Sequence, residues 1–132
     1  AWRVANDADR MGFRLDGPKL ALSVARERLS EPTTFGTIQV PAAGQPIVLM
    51  ADRQTSGGYA KLGCVASVDL PILAQKKPGD NIHFLPIDVE QAQALDAARR
   101  AAFEDLVIQL TNMHQHIRAT VASINHLGDI VS

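Results

Sequence analysis

The chain has 132 residues and carries 13 Lys and Arg against 14 Asp and Glu, which gives a formal net charge of −1. A near-neutral chain gives no electrostatic reason to expect binding to nucleic acid or to an anionic membrane. The single cysteine excludes an internal disulfide framework, and no apolar run approaches the roughly 20 residues that span a bilayer. These properties predict one globular domain from a reducing, cytoplasmic compartment.

Short apolar segments bounded by turn-forming residues occupy the first two thirds of the chain. Their composition predicts strands at Met11–Leu15, Gly36–Val40, Pro46–Ala51, Tyr59–Val68 and Asn81–Val89. A series of short strands with tight turns predicts an all-β body in the form of a small closed barrel or a sandwich.

The connections between these segments carry their own signals. Pro41-Ala42-Ala43-Gly44 and Pro78-Gly79-Asp80 predict turns, and Gly57-Gly58 predicts a tight hairpin joining two strands. The stretch Asp69–Gln75 predicts a short helix with Asp69 as its N-cap.

The composition changes near Asp88, after which the chain contains no Pro and only one Gly, Gly128. Asp88 and Gln91 have the spacing of a capping box at a helix start, and Gly128 predicts the helix end. Apolar residues recur in steps of three and four on one face, at Leu95, Ala98, Ala102, Leu106, Leu110, Met113, Ile117, Val121 and Ile124. We therefore predict a β portion at residues 1–89 and a helical extension at residues 90–132. Either the extension self-associates or meets a partner chain, or it breaks near Asn112 or Asn125 and folds back on the body.

The densest polar segment runs from residue 51 to residue 61, around the Gly57-Gly58 pair. A guanidinium can hold a carboxylate through two parallel hydrogen bonds, an amide can orient a substrate amide, and a desolvated carboxyl or phenol can transfer a proton. Backbone N–H groups at the glycine pair can form an anion-binding nest. The alternative is a solvated hairpin tip. The candidate residues are Asp52, Arg53, Gln54, Thr55, Gly57, Gly58, Tyr59 and Lys61.

Other chemically notable residues carry weaker signals. Arg10 and Arg14 either bind an anion or pair with Asp9 and Asp16, and pairing is the commoner outcome. Cys64, within an apolar run, is expected to be a buried inert thiol. His114, His116 and His126 do not have the spacing of a metal site, and we predict no metal.

The order of several motifs resembles the allophanate hydrolase subunit 2 family. Arg10-Met11-Gly12-Phe13-Arg14-Leu15-Asp16-Gly17-Pro18 is similar to that family's Arg-Met-Gly-Tyr-Arg-Leu-Glu-Gly-Pro stretch. Further matches follow in the family's order, at Gly36–Pro41, Gly44–Leu49, Asp52–Tyr59, Asp69-Leu70-Pro71, Ala74-Gln75 and Pro78-Gly79-Asp80. The family includes the KipA-like proteins, the C subunit of bacterial 5-oxoprolinase and part of the carboxyltransferase region of urea carboxylase.

The resemblance implies the C-terminal half of a cyclophilin-like β-barrel and a hydrolase subunit whose partner is a KipI-like B subunit. In 5-oxoprolinase the assembly opens the lactam of 5-oxoproline to glutamate with ATP. The family's substrate cleft is expected to involve Arg10, Gln39, Gln54, Thr55, Tyr59 and Lys61. There Arg10 and Lys61 would bind an anion, Gln54 and Thr55 would orient the amide, and Tyr59 would shuttle a proton.

The same resemblance leaves two alternatives open. One is the carboxyltransferase component of a biotin-dependent urea carboxylase or allophanate hydrolase system, and the other is a non-catalytic regulator of a histidine-kinase inhibitor. The family implies no cofactor bound by this chain itself, ATP use by the partner complex, and biotin only in the carboxyltransferase case. If the active site also needs the N-terminal half of the family fold, this chain alone should be inactive.

Overall fold

A computed structural model describes the backbone of residues 1–23 and 29–131 and the side chains of residues 1–23 and 29–113. In these described residues, eight strands and two α-helices follow one another. They are β1 (Trp2–Val4), β2 (Gly12–Asp16), β3 (Glu31–Pro32), β4 (Thr37–Val40), β5 (Ile47–Leu49), β6 (Ser56–Gly57), β7 (Ala60–Cys64), α1 (Leu70–Ala74), β8 (Asn81–Ile82) and α2 (Val89–Val131).

Six of the strands form one antiparallel sheet in the order β7-β4-β5-β2-β1-β8, and β3 pairs with β6 in a separate two-stranded sheet. The prediction of a mainly β body followed by a C-terminal helix is confirmed. The expected closed barrel is wrong for the described residues, because the six-stranded sheet is open and ends in β7 on one side and β8 on the other.

One face of the six-stranded sheet covers the hydrophobic core. Phe13 and Leu15 on β2 are buried there, as are Ile38 on β4 and Val48 on β5. Since successive residues of a strand point to opposite faces, their strand neighbours are turned to the other side of the sheet. That opposite side carries the candidate site.

The expected Gly57-Gly58 hairpin is wrong. Gly57 ends β6, which pairs with β3 through Glu31 opposite Gly57, whereas β7 pairs with β4. The strands on either side of the glycine pair therefore belong to different sheets. Neither Gly57 nor Gly58 is among the described glycines with a positive φ, so the left-handed backbone of the expected nest is not found there.

The predicted turns and short helix are present. Gly44 has a φ of +84° and its N–H donates to the carbonyl of Pro41, while Gly79 has a φ of +92° in the turn before β8. Both values lie in the left-handed region that glycine adopts without steric cost. Helix α1 follows Asp69, although the Asp69 side chain makes no capping hydrogen bond.

Several strand predictions differ from the structure in their bounds. The predicted strand at Asn81–Val89 is wrong beyond Ile82, since only Asn81 and Ile82 pair, with β1. The predicted strand ending at Val68 stops at Cys64 and gives way to a 3-10 turn at Ser67–Asp69. β1, β3 and β6 were missed, because strands of two or three residues are too short to show a periodic pattern.

The capping box at the start of α2 is confirmed. The backbone N–H of Gln91 donates to Asp88 Oδ1 at 2.7 Å, and the N–H of Asp88 donates to Gln91 Oε1 at 3.0 Å. The helix continues through Asn112 and Gly128 to Val131, so the expected break and the expected stop at Gly128 are wrong.

The chain divides into two compact units, Ala1–Ala92 and Gln93–Ser132. Within the second unit, Phe103, Leu106, Leu110 and Met113 are all exposed. The side chains of the predicted apolar positions Ile117, Val121 and Ile124 lie outside the described residues, as do those of His114, His116 and His126. No described helix is long and apolar enough to cross a membrane.

Candidate functional site

A cleft of about 510 Å³ opens on the face of the sheet opposite the core. Antiparallel pairing sets Gly12 opposite Leu49 and Arg14 opposite Ile47, and these four residues line its floor. Successive side chains of each strand point to opposite faces of the sheet. Phe13, Leu15 and Val48 therefore enter the core, and the residues beside them in the strands face the cleft.

Gln39 extends this floor from the neighbouring strand β4. It pairs with Ile47 of β5 and lines the cleft, yet only 4% of its surface is exposed. Its side-chain nitrogen Nε2 has no hydrogen-bond partner among the described residues. A buried amide without a partner costs about 1–3 kcal/mol.

Gly57 covers the Gln39 amide. A Cβ atom added at Gly57 would stand 2.7 Å from Gln39 Nε2, closer than side chains pack. A side chain at position 57 would therefore require the end of the Gln39 side chain to shift, and no special φ requires the glycine. This is a different use of the glycine from the bend that the sequence suggested.

The remaining wall consists of the segment between β5 and β7. Gln54, Ser56, Gly58 and Tyr59 line the cleft, and Tyr59 is 54% exposed. Thr33 holds the backbone of this wall, since its Oγ1 donates to the Gln54 carbonyl at 2.6 Å and its N–H donates to the Thr55 carbonyl at 2.9 Å. Gln54 itself is exposed.

Two carboxylates that sequence reasoning did not select also line the cleft. Asp9 Oδ1 accepts hydrogen bonds from the N–H groups of Met11 and Gly12, and Asp7 Oδ2 lies 3.4 Å from Arg14 Nη1. Arg14 pairs with a carboxylate, but the partner is Asp7, so the expected pairing with Asp9 or Asp16 is wrong. The period-two pattern of β2 could have indicated Arg14, but no local signal pointed to Asp7, which precedes the strand.

Of the predicted site residues, Gln39, Gln54, Gly57, Gly58 and Tyr59 line the cleft. The others do not line it: Arg10, Asp52, Arg53, Thr55 and Lys61.

Each of the charged residues outside the cleft lining has a partner in the structure. Arg10 Nε lies 3.0 Å from Asp52 Oδ2 in an exposed ion pair. Lys61 Nζ donates to the Pro32 carbonyl at 2.6 Å and lies 3.2 Å from Glu31 Oε2, so it ties β7 to β3. Arg53 Nη1 donates to the Ala51 carbonyl at 3.4 Å.

Cys64 is exposed, so the expectation of a buried thiol is wrong. It lies at the end of β7, which is an edge strand of the open sheet, and an edge position removes the cover that its apolar sequence context suggested. Its Sγ lies 3.7 Å from Thr34 Oγ1, away from the residues that line the cleft.

The cleft offers uncharged hydrogen-bonding groups above an apolar floor. Gln39 and Gln54 carry amides, Ser56 and Tyr59 carry hydroxyls, and Ile47 and Leu49 provide the apolar surface. Two carboxylates and one guanidinium complete the described lining. Fold and cleft together define a mainly antiparallel β domain with a concave, partly polar cleft on the face of the sheet opposite its core.

The chain belongs to the family described as carboxyltransferase domain, subdomain A and B, whose model matches residues 1–86. It is similar to the C subunit of 5-oxoprolinase from Haemophilus influenzae, with 45% identity over 94 residues, covering 71% of this chain and 30% of that protein. It is also similar to the C subunit of 5-oxoprolinase from Escherichia coli, with 40% identity over 111 residues, covering 84% of this chain and 36% of that protein. The chain therefore spans about a third of the length of these relatives, less than the half that the resemblance implied.

The fold has a counterpart among solved structures. The structure of the Kluyveromyces lactis urea carboxylase matches with a TM-score of 0.70 at 24% identity, over 79% of this chain and 10% of that chain. At this identity the match shows the shared fold alone.

Proposed function

We propose that the chain forms part of a subunit of a 5-oxoprolinase-type, ATP-dependent amidohydrolase, and that its cleft binds a small lactam or amide. The observation that carries the proposal is the amide lining of the cleft, with Gln39 and Gln54 on one concave surface. A planar amide substrate presents one carbonyl acceptor and one N–H donor, and side-chain amides supply the complementary pair. The similarity to two proteins named as the C subunit of 5-oxoprolinase supports the same class.

In this proposal the residues of the cleft bind and orient the substrate. Gln54 orients the substrate amide, and Tyr59 moves a proton at its phenol oxygen. Asp52, Arg10 and Lys61 support the surrounding backbone through their ion pairs. ATP is used by the partner complex, which includes the B subunit, and this chain alone has no turnover because it spans about a third of its relatives.

The test is reconstitution of the full-length protein with its B subunit and ATPase partners, followed by measurement of glutamate formed from 5-oxoproline with and without ATP. ATP-dependent glutamate formation is expected. Gln54→Leu should raise KM at least about tenfold, since it removes a hydrogen-bonding group that the substrate uses. The same substitution at Gln75, which is exposed at the end of α1 and does not line the cleft, should change nothing. Absence of glutamate from a complex that assembles would contradict the proposal.

The second candidate is a carboxyltransferase component of a biotin-dependent system, which the family's description favours. A urea-like acceptor would use the same amide-lined cleft. Transfer of labelled carboxyl groups from a biotin-carrier protein to urea, with no lactam hydrolysis, would select this candidate over the first.

A further inference from the structure

Arg14 carries the single positive charge among the described residues that line the cleft, where the other charged groups are the carboxylates of Asp7 and Asp9. The family resemblance places anion binding at Arg10 and Lys61. Both of these residues lie outside the cleft lining and pair with carboxylates there. An anionic group of a ligand in this cleft therefore has Arg14 as its cationic partner.

The backbone of Arg14 is fixed in the middle of the six-stranded sheet. Arg14 lies opposite Ile47 of β5, and its carbonyl accepts a hydrogen bond from the N–H of Ala5 at 2.9 Å. Its strand neighbours Phe13 and Leu15 are buried in the close-packed core, which holds this part of β2 in place. The Arg14 side chain lines the cleft on the opposite face and is 63% exposed. A ligand can therefore reach a guanidinium that stands on a rigid base.

The contact with Asp7 leaves most of the hydrogen-bonding capacity of this guanidinium unused. Arg14 Nη1 lies 3.4 Å from Asp7 Oδ2, whereas well-formed charge-assisted hydrogen bonds measure about 2.7–2.9 Å. The Asp7 side chain is 61% exposed, and exposed ion pairs contribute little to stability. A guanidinium has five N–H donors, so a ligand carboxylate that takes two parallel hydrogen bonds can displace Asp7.

The second carboxylate of the lining does not compete for Arg14. Asp9 Oδ1 accepts hydrogen bonds from the N–H groups of Met11 and Gly12, at 2.8 and 3.1 Å, which offset part of its negative charge. Asp7, once displaced, is exposed enough for water to solvate its charge. The repulsion between the lining carboxylates and an anionic ligand is thereby reduced, while the attraction to Arg14 is kept.

We propose that Arg14 is a specificity-determining residue that binds a carboxylate on the lactam substrate, and that Asp7 competes with this carboxylate for the guanidinium. The inference rests on the proposed function for the lactam ring and adds the second group that the cleft recognises. It also separates the two candidate functions, because urea has no carboxylate and would make no use of Arg14.

The test measures binding to the assembled complex by calorimetry, with two probes that differ only in the carboxylate. They are 5-oxoproline and 2-pyrrolidone, which is the same lactam ring without the carboxylate. Arg14→Gln should weaken the binding of 5-oxoproline at least about tenfold and leave that of 2-pyrrolidone unchanged, since only 5-oxoproline uses the guanidinium. The matched control is Arg3→Gln, at an exposed arginine of β1 that does not line the cleft, and it should affect neither probe.

Asp7→Asn tests the competition while Arg14 stays intact. It should tighten the binding of 5-oxoproline about two- to fivefold, which is the contribution of an exposed ion pair, and leave 2-pyrrolidone unchanged. Because Asp7 is exposed and precedes β2, the melting temperature of this variant should equal that of the wild type. Unchanged or weaker binding of 5-oxoproline by a folded Asp7→Asn complex would overturn the competition.

The role of Arg14 has its own contrary outcomes. Equal loss of affinity for both probes in Arg14→Gln, or no loss for 5-oxoproline, would overturn the inference. Loss of 5-oxoproline binding in Arg10→Gln with full binding in Arg14→Gln would overturn it as well, because the anion would then bind outside the described cleft lining.

The two proposals can fail separately. If the complex binds 5-oxoproline through Arg14 but forms no glutamate, the proposed hydrolase function is wrong and the recognition role stands. If glutamate is formed and Arg14→Gln leaves the KM for 5-oxoproline unchanged, the function stands and the recognition role is wrong.

Discussion

The contact between Gly57 and Gln39 makes a quantitative prediction about stability. A Cβ at Gly57 would lie 2.7 Å from Gln39 Nε2, and the buried amide would have to move to accept it. Overpacking of this kind costs about 1–3 kcal/mol, and replacing Gly by Ala returns about 0.4–1 kcal/mol through the unfolded chain. Gly57→Ala should therefore lower the free energy of unfolding by up to about 2.6 kcal/mol.

The matched control is Gly63→Ala, because nothing lies within 4 Å of a Cβ at Gly63. This glycine is on the edge strand β7, and its substitution should be neutral or stabilising by up to about 1 kcal/mol. The two Gly→Ala variants thus differ in sign for a purely steric reason.

A double-mutant cycle isolates the contact. In a Gln39→Ala background the amide is gone, so Gly57→Ala should no longer destabilise, and the coupling energy should be about 1–3 kcal/mol. The assay is urea-induced unfolding of the wild type, both single variants and the double variant, followed by circular dichroism. If Gly57→Ala costs the same in both backgrounds, the glycine is required for another reason and the steric argument is refuted.

Four further substitutions, one of them a control, test the core, the contact between β7 and β3 and the start of α2 by the same unfolding assay. Leu15→Ala, at a core position that is 1% exposed, should lower the free energy of unfolding by about 2–5 kcal/mol. Leu62→Ala, at an edge-strand position that is 59% exposed, should change it by less than about 0.5 kcal/mol. Equal losses would show that the core is assigned to the wrong face of the sheet. Lys61→Met should cost about 0.5–1.5 kcal/mol through the lost Pro32 hydrogen bond while turnover is kept; loss of turnover with unchanged stability would indicate a catalytic lysine instead. Asp88→Ala should reduce the helical signal and cost about 0.5–2 kcal/mol, because it removes the hydrogen bond to the Gln91 N–H, and an unchanged signal would contradict the capping role.

Features that depend on near neighbours were readable from the sequence. The capping box at Asp88 and Gln91 is present because two side chains and two backbone groups three residues apart complete it locally. The turn at Gly44 followed from the backbone freedom of glycine, and the segments of β2 and β5 followed from their short apolar runs between turn-forming residues. The mainly β fold with a C-terminal helix was predictable for this reason.

The site itself was decided by pairing between distant segments. Sequence patterns selected Gly57 as a bend, but its contact in the structure is with Gln39. Gln39 lies 18 positions earlier in the chain, on β4 of the six-stranded sheet, whereas Gly57 lies in the two-stranded sheet. Asp7 and Asp9 enter the cleft because of the loop before β2, while Lys61, selected for its charge, is tied to β3 instead. The order of the motifs along the sequence was sufficient to indicate the family. Only the tertiary structure determined which of the polar residues share one cleft, because non-local strand pairing and the accompanying burial are not encoded in any single local pattern.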